Sequence, residues 1–198
     1  MLEQMAAIRE QPTVKEPIDG QIIAACQRGD KEALRVLFDA YKDRVFSIAV
    51  HALDGDQTMA ADVTQQVFIR LMTRIGQFRG ESEFTTWLYR LVVNCCVDER
   101  RKQWRFLPLT DFALIRPDRR RVSQATAYAQ RELADKVQAA ITDLKPKLRW
   151  PILLKYVEGL SYEEIATVLG CSRGTVASRL NRGHKALAKR LSYLRGQV

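Results

Sequence analysis

Apolar residues recur at steps of three and four along most of this 198-residue chain, and this spacing limits the possible fold more than any other feature. Such steps place apolar side chains on one face of a helix, whereas a strand needs alternation, which the sequence nowhere shows convincingly. The helical pattern is absent from residues 1–18 and 107–127, each of which contains two prolines. We therefore predict an all-α protein with a mobile tail over 1–18, a flexible linker over 107–127, and two small helical domains over 19–106 and 128–198.

Three apolar stripes define the core of the first domain. A short helix over residues 20–28 ends at Gly29, and Asp30 is placed to cap the next helix, which reaches about Leu53. Gly76 ends the helix after that, and a long helix begins near Phe84. The stripes consist of Leu34, Leu37, Phe38, Tyr41, Val45, Ile48 and Ala52; of Val63, Val67, Leu71 and Ile75; and of Phe84, Trp87, Leu88, Leu91, Val92 and Cys95.

The second domain carries the most specific local pattern in the chain. Ser161 and Glu164 have the spacing of a capping box, in which each side chain bonds the other residue's backbone amide. Gly170 follows where a turn needs a left-handed backbone, and Ser172 can cap a second helix. This order predicts a helix-turn-helix whose second helix enters the major groove of DNA. The predicted inward residues are Ile165, Ala166, Leu169, Val176 and Leu180.

The outward face of that second helix is rich in cations and hydroxyl groups, which can contact phosphates and base edges. The alternative is a solvated basic helix without a ligand. The residues of this face are Arg173, Thr175, Ser178, Arg179, Arg182 and Lys185.

Charge is distributed unevenly along the chain, whose formal net charge is +9. Residues 1–97 carry 11 Lys/Arg and 13 Asp/Glu, residues 98–124 carry 8 and 4, and residues 125–198 carry 13 and 6. The basic second half predicts contact with a polyanion, with nucleic acid favoured over an anionic membrane surface or a solvated basic face.

Several classes of function are excluded by what the sequence lacks. Its cysteines and histidines have no metal-ligand spacing, so we expect no metal and no disulfide; they are Cys26, Cys95, Cys96, Cys171, His51 and His184. We find no nucleotide-binding fingerprint and no catalytic constellation, and therefore expect neither an enzyme nor a cofactor. Without a secretory signal or a membrane-spanning run, we expect a cytoplasmic protein without direct membrane insertion.

Aromatic residues, a glycine loop and cations lie together over residues 78–90, a combination suited to single-stranded DNA. With this block, the chain resembles the extracytoplasmic-function (ECF) family of RNA polymerase sigma factors over about residues 19–105 and 128–192. Four blocks in the family's order carry the resemblance, namely 62–68, 78–101, 159–166 and 174–180. The first domain would then be sigma region 2 and the second sigma region 4.

The resemblance implies roles for individual residues. By this resemblance, Asp62, Gln65, Gln66 and Phe68 would dock on the β′ clamp helices of polymerase. The family commonly has an acidic residue at the position of Gln66. Recognition of the −10 element falls to Phe78, Arg79, Gly80, Glu81, Ser82, Arg90, Asn94, Arg100 and Arg101. Recognition of the −35 element falls to Arg173, Thr175, Ser178, Arg179, Asn181, Arg182 and Lys185. Ala177 stands where many members have Arg or Lys.

The resemblance also implies partners: core RNA polymerase, including its β flap, promoter DNA, and an inhibitory anti-sigma factor of a kind that is often membrane-tethered. Two other functions remain open from the residues. A transcription regulator would bind duplex operators without polymerase, usually as a symmetric dimer. A helical adaptor would use its basic half to bind an acidic protein.

Overall fold

A computed structural model of the protein describes residues 18–106 and 136–192. They divide into two compact units, one almost wholly within residues 18–106 and the other within residues 136–192. Within the described ranges every regular element is helical and none is a strand, which confirms the predicted all-α class. The predicted linker, and the predicted tail except its last residue, lie outside the described residues.

The first unit is built from four α-helices and a short 3-10 turn, and aspartates cap three of the helices. Asp19, Asp30 and Asp56 each accept a hydrogen bond from a backbone amide of the helix that follows. Capping matters because the first amides of a helix have no partner within it. The elements are α1 (Gly20–Gln27), α2 (Lys31–Ala52), α3 (Gln57–Arg74), the 3-10 turn (Ile75–Gln77) and α4 (Phe84–Phe106).

The three predicted stripes form the core of this unit with three exceptions. Leu34 and Trp87 are half-buried, and Phe38 is 42% exposed although the stripe predicts it to be buried. Phe38 lies at the edge of the core, where its ring meets that of Phe68 edge to face with centroids 4.7 Å apart. Part of the Phe38 ring therefore remains open to solvent.

Two ion pairs hold α4 against the rest of the first unit. Arg70 on α3 donates to the Asp98 carboxylate at 2.9 Å, and Arg100 pairs with Asp54 in the turn between α2 and α3. Because their side chains are partly shielded from water, these pairs are screened less than fully exposed pairs would be. They join the second half of α4 to α3 and to the turn before it.

The second unit contains a helix over 136–142, α5, followed by α6 (Pro146–Tyr156), α7 (Tyr162–Leu169) and α8 (Arg173–Arg190). Pro146 occupies the first turn of α6, and α6 continues through Pro151. Arg149 is buried and donates to the backbone carbonyls of Thr142 and Leu144. Its guanidinium thereby satisfies carbonyl groups at and just beyond the end of α5.

The helix α8 crosses α6 closely at a glycine. Gly183 is buried, and a Cβ atom there would lie 3.1 Å from Cγ1 of Ile152. In the helix-turn-helix, Ile165, Val176 and Leu180 are buried as predicted. The rest of the inner face of α7 differs from the prediction: Val168 is buried, whereas Leu169 and Ala166 are half-buried.

Candidate nucleic-acid interface

The helix-turn-helix has the predicted hydrogen bonds at both helix starts. The Ser161 amide donates to Oε2 of Glu164 at 2.7 Å, and the Glu164 amide donates to Oγ of Ser161 at 3.2 Å. Ser172 accepts from the Thr175 amide at 3.2 Å. Gly170, with φ of +59°, makes the turn between the helices. These contacts order the starts of α7 and α8 and the turn between them.

Four of the seven predicted −35 residues form one continuous exposed face on α8. They are Ser178, Asn181, Arg182 and Lys185, and all four are exposed. The opposite face of α8 is buried in the unit and consists of Val176, Leu180, Gly183 and Leu187. A hydroxyl, an amide and two cations on one exposed face can contact both base edges and phosphates.

The other three predicted −35 residues have local contacts. Thr175 is half-buried, with its hydroxyl oxygen 2.9 Å from that of Ser172. Arg179 is half-buried with Nη1 3.7 Å from Sγ of Cys171, and Arg173 pairs with Glu163 at 3.0 Å. The Arg173 pair is well exposed, so water and salt screen it and DNA phosphates can compete for the guanidinium.

Two glycines of the helix-turn-helix are expected to respond oppositely to alanine. Apart from the adjacent residues and the backbone of the same helix, no atom lies closer than 4.0 Å to the position that a Cβ would take at Gly170 or at Gly174. Only Gly170 has a left-handed backbone. Gly170→Ala should therefore lower the stability of the second unit by about 1 kcal/mol through backbone strain alone. Gly174→Ala should raise it by about 0.5 kcal/mol through helix propensity.

Urea denaturation of the full chain, followed by hydrogen exchange in peptides spanning 162–190, measures both changes. A destabilising Gly174→Ala, or a Gly170→Ala without effect, would contradict this account of the turn.

The burial of His184 predicts that the stability of the second unit depends on pH. Its Nε2 lies 2.7 Å from the Tyr156 hydroxyl, and burial lowers the pKa of His184 because the imidazolium would lose hydration. Below the ordinary pKa of histidine, about 6.5, the unfolded chain therefore binds a proton that the folded unit binds only at lower pH. Stability should fall as the pH drops from about 7 through 6, and should be unaffected by His184 above that range.

Urea denaturation of the His184→Gln variant across pH 5 to 8 measures this contribution. The variant should lose part of the pH dependence of the free energy of unfolding. An equal slope in His184→Gln and in the unmodified chain would contradict the prediction.

The first unit presents a second candidate surface, formed by the loop 78–82 and one face of α4. Trp87, Arg90, Asn94 and Arg101 follow one another at helical steps along this face. Arg90, Asn94 and Arg101 are exposed, and so are Arg79, Gly80 and Glu81 of the loop. The structure thus brings the loop and three predicted −10 residues to one side of the unit.

An aromatic cluster supports this surface. The ring centroid of Phe78 lies 5.6 Å from that of Phe84 and 5.7 Å from that of Trp87. Phe84 is buried, whereas Phe78 and Trp87 are half-buried. The cluster therefore fixes the start of the loop and leaves part of two aromatic rings accessible to a base.

Arg100 differs from its predicted environment. As a −10 residue it is expected to lie along phosphates, but its guanidinium pairs with Asp54 and only 23% of its side chain is exposed. The neighbouring Arg101 and Lys102 are both exposed. Lys102 itself pairs with the Glu99 carboxylate at 2.9 Å, so Arg101 is the better candidate for a phosphate contact at this position.

A third candidate surface lies on α3 and combines polar and apolar side chains. Asp62, Gln65, Ile69 and Met72 share one side of the helix at steps of three, four and three, and we call them the α3 face. Ile69 and Met72 are 54% and 58% exposed, while Gln66 beside them is half-buried. Phe68, predicted as a docking residue, is instead buried against Phe38.

Exposed large apolar side chains are a common mark of protein interfaces when they cluster. Sequence reasoning missed Ile69 and Met72 because it followed the buried stripe of α3. The sequence does contain an indication of this surface, because Ile69 and Met72 are a second apolar pair, three residues apart, outside that stripe.

Neither a metal site nor an activated Cys95 or Cys96 thiol is found in the part of the chain that the structure describes. In the described ranges, no three His, Cys, Asp or Glu side chains are grouped as a metal site would require. Burial raises the pKa of the Cys96 thiol to about 12 and also raises that of Cys95, which keeps both thiols protonated. None of the described helices is long and apolar enough to cross a membrane.

Two family models match the chain, one in each unit. Sigma-70 region 2 matches residues 37–106 and sigma-70 region 4 matches residues 134–187. The RNA polymerase sigma-H factor of Pseudomonas aeruginosa is 34% identical over 184 residues, which cover 89% of this chain and 95% of that protein. The ECF RNA polymerase sigma factor SigW of Bacillus subtilis is 34% identical over 179 residues, covering 85% and 94%.

Among solved structures, CnrH in complex with the cytosolic domain of CnrY is similar with a TM-score of 0.65. The two chains are 25% identical, and the match covers 88% of this chain and 97% of CnrH.

Region 2 in the first helical unit and region 4 in the second define a transcription initiation factor of the sigma-70 type. Within that class the chain belongs to the ECF sigma factors. It is a subunit that directs core RNA polymerase to promoters.

Proposed function

We propose that the three surfaces divide the work of a sigma factor: the α3 face binds core polymerase, the loop 78–82 with the α4 face recognises the −10 element, and α8 recognises the −35 element. The observation that carries this proposal is the exposure of a different chemistry on each surface. The α3 face is apolar and acidic, the α4 face is aromatic and cationic, and the α8 face is cationic with hydroxyl and amide groups.

On the α3 face, Ile69 and Met72 supply apolar area that polymerase would cover, and Asp62 supplies a charge for a basic residue of the β′ clamp helices. Gln66 replaces the carboxylate common in the family by an amide. A hydrogen bond between the Gln66 amide and polymerase then takes the place of one ion pair.

At the −10 element, the exposed loop and Asn94 would bind a base that has left the stack, and Arg90 and Arg101 would contact the phosphates on either side. Capture of an unstacked base favours the melted form of the promoter without nucleotide hydrolysis. This division of labour makes the protein a binding subunit and not an enzyme.

At the −35 element, Ser178, Asn181, Arg182 and Lys185 would meet the duplex in the major groove, with Arg179 and Arg173 nearby. Ala177 is exposed on the same side and lacks the cation that many members have. Holding both units on polymerase makes the second DNA contact effectively intramolecular, which can add roughly 10²–10⁴ in avidity. The second unit would be held on the β flap.

We also propose that an anti-sigma factor controls the protein in the cytoplasm. CnrH shares the fold at 25% identity, and its solved structure is a complex with the cytosolic domain of CnrY. A membrane-tethered inhibitor would act by covering the polymerase or DNA surfaces of the two units.

Reconstitution with core RNA polymerase tests the proposed function. We expect the chain to co-purify with core polymerase and to direct run-off transcription from a distinct subset of a genomic library, with the start sites sharing −10 and −35 sequences. Operator binding by the isolated chain as a dimer would support a polymerase-independent regulator instead. Binding to neither polymerase nor DNA would support the adaptor.

A further inference from the structure

The loop 78–82 is tied to α1, an element that none of the assigned surfaces includes. Gln27, the last residue of α1, donates from Nε2 to the carbonyl oxygen of Ile75 at 3.1 Å and to that of Phe78 at 2.8 Å. These carbonyls are 48 and 51 positions away from Gln27 in the sequence. One side-chain amide thus bridges the 3-10 turn and the first residue of the loop.

The bridge sets the backbone where the loop begins. The Phe78 amide also donates to the Ile75 carbonyl, at 3.1 Å, so the two carbonyls that Gln27 joins already belong to one turn. At its other end the loop reaches α4, where the Trp87 amide donates to the Glu83 carbonyl at 3.2 Å. Between these ends, Gly80 has φ of +72°, and the pair between Arg79 and Glu81 is well exposed.

The hydrogen bonds of Gln27 are better suited to positioning than to stability. Gln27 is exposed, and water can solvate both carbonyls if the side chain is removed, so little folding free energy depends on it. The orientation of the Phe78 carbonyl, in contrast, sets the direction in which the chain enters the loop. A glutamine amide is suited to this role because its nitrogen carries two hydrogens for two acceptors.

We propose that Gln27 is a positioning residue for −10 recognition: it holds the loop 78–82 in the conformation that accepts the unstacked base. The inference rests on the proposed function of the loop. It adds α1 to the elements that decide promoter choice, although α1 itself has no assigned contact with DNA.

Gln27→Glu is the sharpest test because the carboxylate has the same shape as the amide but no hydrogen to donate, and its charge repels both carbonyls. Gln27→Lys keeps a donor and serves as the rescue variant. Gln21→Glu, at an exposed position of the same helix, makes the same change of charge and is the matched control.

The first measurement is hydrogen exchange of the full chain in peptides spanning 78–83. The second is transcription by reconstituted holoenzyme on a promoter selected from the run-off library, with each −10 base substituted in turn. For Gln27→Glu we expect faster exchange in the loop and a roughly three- to tenfold smaller preference, about the value of one hydrogen bond, for the native −10 base over its substitutes. The penalty for −35 substitutions and the binding of core polymerase should remain unchanged.

The two controls complete the design. Gln21→Glu should match the unmodified chain in both measurements, and Gln27→Lys should recover at least half of the −10 preference. If Gln27→Glu retains the full −10 preference while the unmodified holoenzyme is active, the inference is wrong and the proposed function stands. If the unmodified chain directs no promoter-dependent transcription, the proposed function fails and the inference fails with it.

Discussion

Replacing both Ile69 and Met72 by aspartate should weaken binding to core RNA polymerase by at least about 100-fold. Each side chain is more than half exposed in the isolated protein, so the apolar area is available to a partner. Fully burying a large apolar side chain contributes roughly 1.5–3 kcal/mol, so covering the exposed half of each contributes about 0.8–1.7 kcal/mol. A buried aspartate without a partner opposes binding by a further ~1–3 kcal/mol. Two such changes together exceed the roughly 2.7 kcal/mol that corresponds to a 100-fold loss.

The binding constant of the labelled chain for core polymerase, measured by fluorescence anisotropy, provides the test. Val36→Asp is the matched control because Val36 is also a large apolar residue that is 50% exposed, but lies on α2. Phe38 is a residue of α2 that meets α3, and Val36, two residues away, lies on a different side of that helix. Circular dichroism should show unchanged helix content in all variants. Unchanged polymerase affinity of the double variant, or an equal loss in Val36→Asp, would refute the assignment of the α3 face.

Arg182→Ala should reduce promoter-dependent transcription by about 5- to 150-fold while leaving the fold intact. Arg182 is exposed on α8, where its Nε lies 3.4 Å from the carbonyl oxygen of Ser178 in its own helix. Loss of an arginine contact to a base costs roughly 1–3 kcal/mol. Arg179→Ala should weaken binding as well, but with a part of the effect arising from lost packing beside Cys171.

Promoter templates with a scrambled −35 element separate the two kinds of contact. If Arg182 reads a base, the effect of Arg182→Ala should largely disappear on the scrambled template; if it binds phosphate, the effect should persist and weaken with salt. Lys189→Ala, which removes the same charge about two turns further along α8, is the control and should have a smaller effect. If neither Arg182→Ala nor Arg179→Ala has any effect, entry of α8 into the groove is excluded.

The fold of this protein follows from local patterns that a sequence displays directly. Asp30, Ser161 and Ser172 are recognisable as helix caps because the donors they satisfy lie two or three residues away. The buried stripes are recognisable because a helix repeats every 3.6 residues, so spacing alone places Val63, Val67 and Leu71 on one face. These signals do not require knowledge of which helices pack together.

The features that the sequence does not predict depend on contacts between distant segments. Arg100 differs from expectation because Asp54, far away in the sequence, lies within reach of it. Phe38 is exposed because its place at the rim of the core is set by α3 and not by α2 alone. Gln27 meets Ile75 and Phe78 across about 50 residues, and no periodicity within α1 indicates that contact.

Helix α8 is held at both of its ends, and this affects how binding to DNA proceeds. Ser172 caps its first turn, and at its last turn Arg190 donates to the Asp143 carbonyl at 3.1 Å. A recognition helix already ordered before contact loses little conformational entropy when it enters the groove. Because a preformed helix need not fold during the encounter, association rates should be similar for related −35 sequences. Discrimination between these sequences should then lie mainly in the lifetime of the complex.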